Sequence, residues 1–318
     1  MTSSQLLKIG SGDDEVVDHA DWVEITTLFK ADGSVSREDL SRAIFRARGG
    51  REEAARIVAE DAFKELRDRA QSCARADGSS GYPFDFSNDG ATISRRFAAR
   101  RWPKEILPYL FLLTITRADM SSSKRKHAGI DPTGLFERLC AEALREFWGG
   151  ASLHSDAIVF HSSPKRPPLG KFASSVEKLS ELLGDGGGWK PGARSPKGGD
   201  GKLDVVAWRK FSDGRSGVLA GFAQCKTGIH WRDHVRELDP LAFAGKFMRE
   251  PFIISPIRIY MVPNRVLKSR WNDDLRDAGL LMDRCRITQF AGTVTSRVLS
   301  DCRAWLKPVI GPPLGAAA

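Results

Sequence analysis

Apolar and polar positions change period along this chain, and the changes mark its elements. Leu203 to Trp208 is a short apolar run interrupted at its second place by Asp204, and Val218 to Ala223 is another that ends in Gln224-Cys225-Lys226. Ser212-Asp213-Gly214 between them has hairpin turn chemistry, so antiparallel strands are expected over 203–208 and 217–226. Side chains alternate across a strand, which places Gln224 and Lys226 on one face and Cys225 on the other. Upstream, Leu135, Leu139 and Ala143 recur every four residues with Phe136, Cys140 and Leu144 beside them. That is the broad apolar face of a helix, and Glu137 adjoins it.

The remaining pattern is mostly helical before residue 120 and mixed after it. Ser36-Arg37-Glu38-Asp39 caps a helix reaching about Arg48, and Glu52 to Ala74 reads as a long helix. Asp21–Lys30 is too short to assign. Residues 75–92, rich in Gly, Ser, Asp and Asn, read as a loop, and Pro103 opens a buried helix to about Thr116. After the Glu137 helix the sequence predicts a strand at 157–160, a helix capped by Ser174 or Ser175 and ending at Gly184, a strand at 257–262, a helix at 271–278, a strand at 286–290 and a helix at 294–306. The expected organisation is a helical N-terminal region over 1–120, regulatory or partner-binding, and an α/β (α+β) domain over 121–318. The longest greasy stretch, Leu107–Ile115, is too short to cross a bilayer, so no membrane role is expected.

Charge refines this picture. The formal net charge is +9, yet residues 1–94 carry an acidic excess, so the whole basic surplus belongs to the rest of the chain. A basic surface there suits a polyanion through phosphate contacts and counterion release. Arg100 and Arg101 lie in one basic cluster beside Trp102, and Lys190, Arg194 and Lys197 lie in the glycine-rich segment Gly184–Lys202 that leads to Asp204. Each could grip phosphates or be a solvated loop. The five cysteines are scattered without a Cys-x-x-Cys, and no basic-then-apolar leader opens the chain, which together suggest reduced thiols and a cytoplasmic location. His230 and His234 have the spacing of zinc ligands on a helix but lack a third partner, and read as surface or substrate-facing. No Gly-x-x-x-x-Gly-Lys-Ser/Thr loop is present, so an energy-dependent step would need a partner.

On its residues alone the hairpin is either an ordinary polar strand end or a site where an acid, an amide and an ammonium meet. Asp204, the hairpin and Gln224-x-Lys226 resemble the core of the PD-(D/E)xK nuclease superfamily, in the branch similar to Mrr-type restriction endonucleases. Gly199-Asp200-Gly201-Lys202-Leu203-Asp204 resembles the glycine-rich approach to that branch's aspartate, and Phe136-Glu137 resembles its helix glutamate, with Glu142 and Glu177 as rivals. The resemblance implies a restriction-endonuclease-like core, a mixed central sheet flanked by helices, and metal-dependent cleavage of DNA, in a setting such as restriction or anti-phage defence. It implies Glu137, Asp204, Gln224 and Lys226 as catalytic residues, and Mg²⁺, with Mn²⁺ as a substitute, held by Asp204, Glu137, Gln224 and the Cys225 carbonyl. Lys226 would orient the attacking water or neutralise developing charge. Two positions depart from the family pattern: Leu203 stands for its proline, and Gln224 replaces a carboxylate, removing one negative charge from the metal site. The alternative is a catalytically inactive module of the same fold that binds nucleic acid or recruits a partner. The acidic helical region suits a partner protein such as an NTPase or a sensor, and a homo-oligomer is compatible with the sequence.

Overall fold

The computed structural model describes residues 6–9, 14–98, 101–120, 122–160, 172–196 and 201–311. In chain order the first elements are α1 (Glu15–Phe29), β1 (Ser34–Ser36), α2 (Arg37–Arg48), α3 (Glu52–Ser72), β2 (Phe84–Phe86), β3 (Thr92–Arg95) and α4 (Leu107–Arg117). The Ser36 hydroxyl accepts from the Asp39 N–H while the Asp39 carboxylate accepts from the Ser36 N–H, the reciprocal cap expected at the start of α2. The glycine-rich stretch expected as a loop instead contributes β2 and leads into β3, forming with β1 a small antiparallel sheet of order β1-β3-β2. Asn88-Asp89-Gly90 supplies the turn between β2 and β3, and Gly90 takes the left-handed φ of 66° there.

The second part runs α5 (Pro132–Phe147), β4 (Ser155–Val159), α6 (Phe172–Leu183), β5 (Val205–Arg209), β6 (Leu219–Cys225), α7 (Pro240–Phe247), β7 (Ile257–Met261), α8 (Trp271–Ala278), β8 (Leu280–Met282), α9 (Arg284–Phe290) and α10 (Ser296–Ile310). Its five-stranded sheet has the order β4-β5-β6-β7-β8. β4, β5 and β6 are antiparallel neighbours, whereas β7 and β8 join in parallel through α7 and α8. The protein is therefore mixed α/β, with a mixed sheet flanked by helices. The expected hairpin is present, and its register pairs Val205 with Ala223 and Trp208 with Ala220. The strand expected at 286–290 is helix instead. Asp283 accepts from the Arg286 N–H as an N-cap, and the strand lies just before it.

Strand alternation builds the two faces. Val205, Ala207 and Ala223 are buried with Leu135, Phe136, Leu139 and Cys140 of α5. Val206, Trp208, Ala220 and Phe222 are buried with Val176 and Leu179 of α6 and Phe243 and Phe247 of α7. The α5-side cluster continues into α1, α3, α4 and α10, so its members come from both sides of residue 120. A buried ionic network reinforces that junction. Arg69 Nη1 lies 2.7 Å from both Asp21 and Glu24, and Arg284 donates to both oxygens of Asp21 at 2.7 and 2.9 Å. Charges this deeply buried persist only when paired, and removing one partner of such a set typically costs about 3–5 kcal/mol. Burial opposes ionisation of Asp21, but the two guanidiniums outweigh it and hold the carboxyl well below its usual range.

Candidate active site

The two hairpin strands end at a cleft of about 680 Å³, lined also by the start of α5 and by α7. Asp204 sits one residue before β5, directly after a turn in which Gly201 and Lys202 both take left-handed φ values of 62° and 71°. A side chain at the second of these positions is strained, and the strain sets the direction from which the chain enters the strand. The backbone N–H of Cys225 donates to Asp204 Oδ2 at 2.7 Å, so the end of β6 fixes the acid carried by β5.

Alternation places the rest. Cys225 faces α5, where burial, the neighbouring Cys140 and then the Asp204 and Glu137 carboxylates push its thiol well above the ordinary value. Gln224 and Lys226 face the other way and both line the cleft, as do Glu137 and Asp204. The structure thus brings together Glu137, Asp204, Gln224, Cys225 and Lys226. Glu142 accepts from Thr295 Oγ1 at 2.7 Å, and Glu177 accepts from the Trp189 N–H at 2.6 Å, so both rival glutamates are engaged outside the cleft lining.

Glu237, which sequence reasoning missed, also enters the cleft. Its carboxylate accepts from Gln224 Nε2 at 3.0 Å, from Lys226 Nζ and Lys202 Nζ at 3.2 Å each, and from His234 Nδ1 at 2.9 Å. Burial works against its ionisation, but the bonds from His234, Gln224, Lys202 and Lys226 prevail and hold the carboxyl at about 2. Two anchored elements bring it there. Tyr260 Oη on β7 donates to the Trp231 carbonyl at 2.8 Å, pinning the turn Trp231–His234, and the Asp239 carboxylate caps the start of α7. His230 and His234 are exposed, as expected, on a single tight turn, and His234 bonds Glu237.

A carboxylate only accepts hydrogen bonds, so the amide of Gln224 must present its NH₂ to Glu237. That leaves Gln224 Oε1 buried, in a residue 1% exposed, with no hydrogen-bond partner among the described residues. An orphaned buried acceptor is unfavourable unless something meets it. The cleft lining holds four carboxylates (Glu137, Asp204, Glu237, Asp239) against three lysines (Lys202, Lys226, Lys246), a formal charge of −1 among the described residues. Among those residues no three His, Cys, Asp or Glu side chains gather as a metal cluster. The oxygens at this end of the sheet that a hard cation could use are those of the Asp204 and Glu137 carboxylates, Gln224 Oε1 and the Cys225 carbonyl.

The proposed phosphate contacts are more dispersed. Lys190 and Arg194 are exposed and outside the cleft lining, although Pro196 of the same segment borders it. Lys190 Nζ donates to the Gly245 carbonyl at 2.7 Å, which ties that segment to α7. Arg101 is exposed and also outside the lining, while Arg100 and Lys197 lie outside the described residues. No described helix is long and apolar enough to cross a membrane. Comparison with protein-family models, with curated proteins and with solved structures found no match.

Proposed function

We propose that this chain is a metal-dependent DNA endonuclease with a PD-(D/E)xK-like catalytic part over 121–318, fused through the shared core to a regulatory or partner-binding part over 1–120. The observation that carries the reading is the convergence of Asp204, Gln224 and Lys226 from one hairpin with Glu137 from α5 on a single cleft. Mg²⁺ bound to the Asp204, Glu137, Gln224 and Cys225 oxygens would supply positive charge at the scissile phosphate and bring the cleft's formal charge from −1 to +1. Asp204, held by the Cys225 N–H, keeps its carboxylate at the strand end. Lys226, partly buried in the same cleft, would offer an ammonium to charge that grows on the phosphate oxygens. Gln224 contributes a neutral oxygen whose direction is set by Glu237. Cleavage of supercoiled plasmid with Mg²⁺, and its absence in EDTA, tests the reading. Uncut DNA under every divalent metal and partner tried would favour an inactive DNA-binding or partner-recruiting module of the same fold.

A further inference from the structure

Four donors converge on Glu237 from three separate stretches of chain: Lys202 from the turn before Asp204, Gln224 and Lys226 from the end of β6, and His234 from the turn that follows. Three of them (Lys202, Gln224, Lys226) meet Oε2 and His234 meets Oε1. Lys202 reaches it from a backbone φ of 71°, a conformation that a non-glycine residue holds only when its surroundings impose it. Two ammoniums, an amide N–H and an imidazole N–H around one point are the donor types that grip phosphate oxygens.

We propose that this corner is a phosphate seat and that Glu237 is its resident anion, closing the seat in the free protein. The proposal rests on the nuclease reading for the identity of the ligand, a phosphate group of the substrate backbone. Glu237 lies in a bend between the Trp231–His234 turn and α7, and its side chain is 27% exposed, so it has solvent to swing into. The non-bridging oxygens of a backbone phosphodiester, like those of a carboxylate, only accept hydrogen bonds. The exchange therefore keeps the Gln224 amide facing as it does and leaves its Oε1 in place. A tethered carboxylate competes at high effective concentration, so the free chain should bind small phosphate anions weakly.

The test is inorganic phosphate binding to the full chain in EDTA at constant ionic strength, followed by calorimetry or ³¹P NMR. Glu237→Gln keeps the shape and an acceptor but removes the charge, and should bind phosphate at least tenfold more tightly than wild type. Adding Lys226→Ala or Lys202→Ala to Glu237→Gln should erase the gain. Should Glu237→Gln fold poorly, the wild-type Glu237 side-chain carboxyl ¹³C resonance should move as phosphate is titrated in. An unchanged phosphate affinity in Glu237→Gln, a gain that survives removal of both lysines, or a carboxyl resonance indifferent to phosphate would overturn the seat. None of these readouts needs DNA cleavage. A chain that cuts no DNA yet shows the tenfold gain keeps the seat and loses the nuclease reading, and a cutting chain without the gain does the reverse.

Discussion

The backbone N–H of Cys225 donates to Asp204 Oδ2 at 2.7 Å, so the strand that carries Gln224 and Lys226 also aims the acid of its neighbour. One oxygen of Asp204 is thereby set by main chain, and the side chain belongs to the strand end and not to the packed core. An amide at this position can accept the same bond, which separates the loss of charge from the loss of structure.

The helix acid can be ranked. Glu137 lines the cleft, while Glu142 is tied to Thr295 and Glu177 to Trp189. Glu137→Gln should lower the cleavage rate at least tenfold, about 1.4 kcal/mol of transition-state stabilisation. Glu142→Gln and Glu177→Gln should leave it within a few-fold, measured on one DNA substrate under saturating Mg²⁺. Dominance of Glu177 would move the acid to α6.

Lys226 and the exposed basic residues should fail in different assays. An ammonium acting on charge developed in the transition state affects turnover more than affinity. In the free chain Lys226 is already paired with Glu237, so Lys226→Ala should bind DNA within a few-fold of wild type and cut it poorly. Neutralising exposed Lys190 and Arg194 should weaken binding and flatten its salt dependence, by about one unit of slope for each phosphate that the wild-type side chains neutralise. Normal cutting of whatever Lys226→Ala still binds would make Lys226 a mere surface cation.

Away from the site, His19 should govern stability in mild acid. Burial, then the nearby Arg48, outweigh Glu15 and lower its pKa from 6.5 to about 4. The folded chain holds the ring neutral while the unfolded chain protonates it. Stability is thus whole above about pH 6.5 and falls as pH drops towards 4, by at most about 3 kcal/mol from this group. Both ring nitrogens lack hydrogen-bond partners among the described residues, so His19→Leu strands no polar group there. Urea melts at pH 7 and pH 4.5 should show a smaller acid loss in His19→Leu; an equal loss would place the effect elsewhere.

The hairpin and the facing of Gln224, Cys225 and Lys226 were legible because a two-residue period and a Ser-Asp-Gly turn leave little freedom. The α5 face was legible from its four-residue spacing. Arg286–Phe290 misled because its β-branched Ile287-Thr288 pair and closing Phe290 fit either period in so short a run, and the deciding feature was the Asp283 cap just before it. Glu237 was out of reach for a different reason. It sits in an aperiodic bend, and only the anchoring of Trp231 by Tyr260 and the capping of α7 by Asp239 carry it back to Lys226. Its flanking His234 and Asp239-Pro240 cap were the signals present, and neither points to a partner. The buried pairs of Arg69 and Arg284 likewise join residues far apart in sequence, where no local pattern reports on proximity.

The most direct test compares plasmid cleavage by wild type and Asp204→Asn, with Mg²⁺ and with EDTA, after melting curves establish that both are folded. The account predicts nicked and linear DNA only from wild type with Mg²⁺, and a loss of at least a hundredfold in Asp204→Asn at an unchanged melting temperature, about 2.7 kcal/mol in the barrier. Equal cleavage by the two proteins, or full activity of wild type in EDTA, would contradict it.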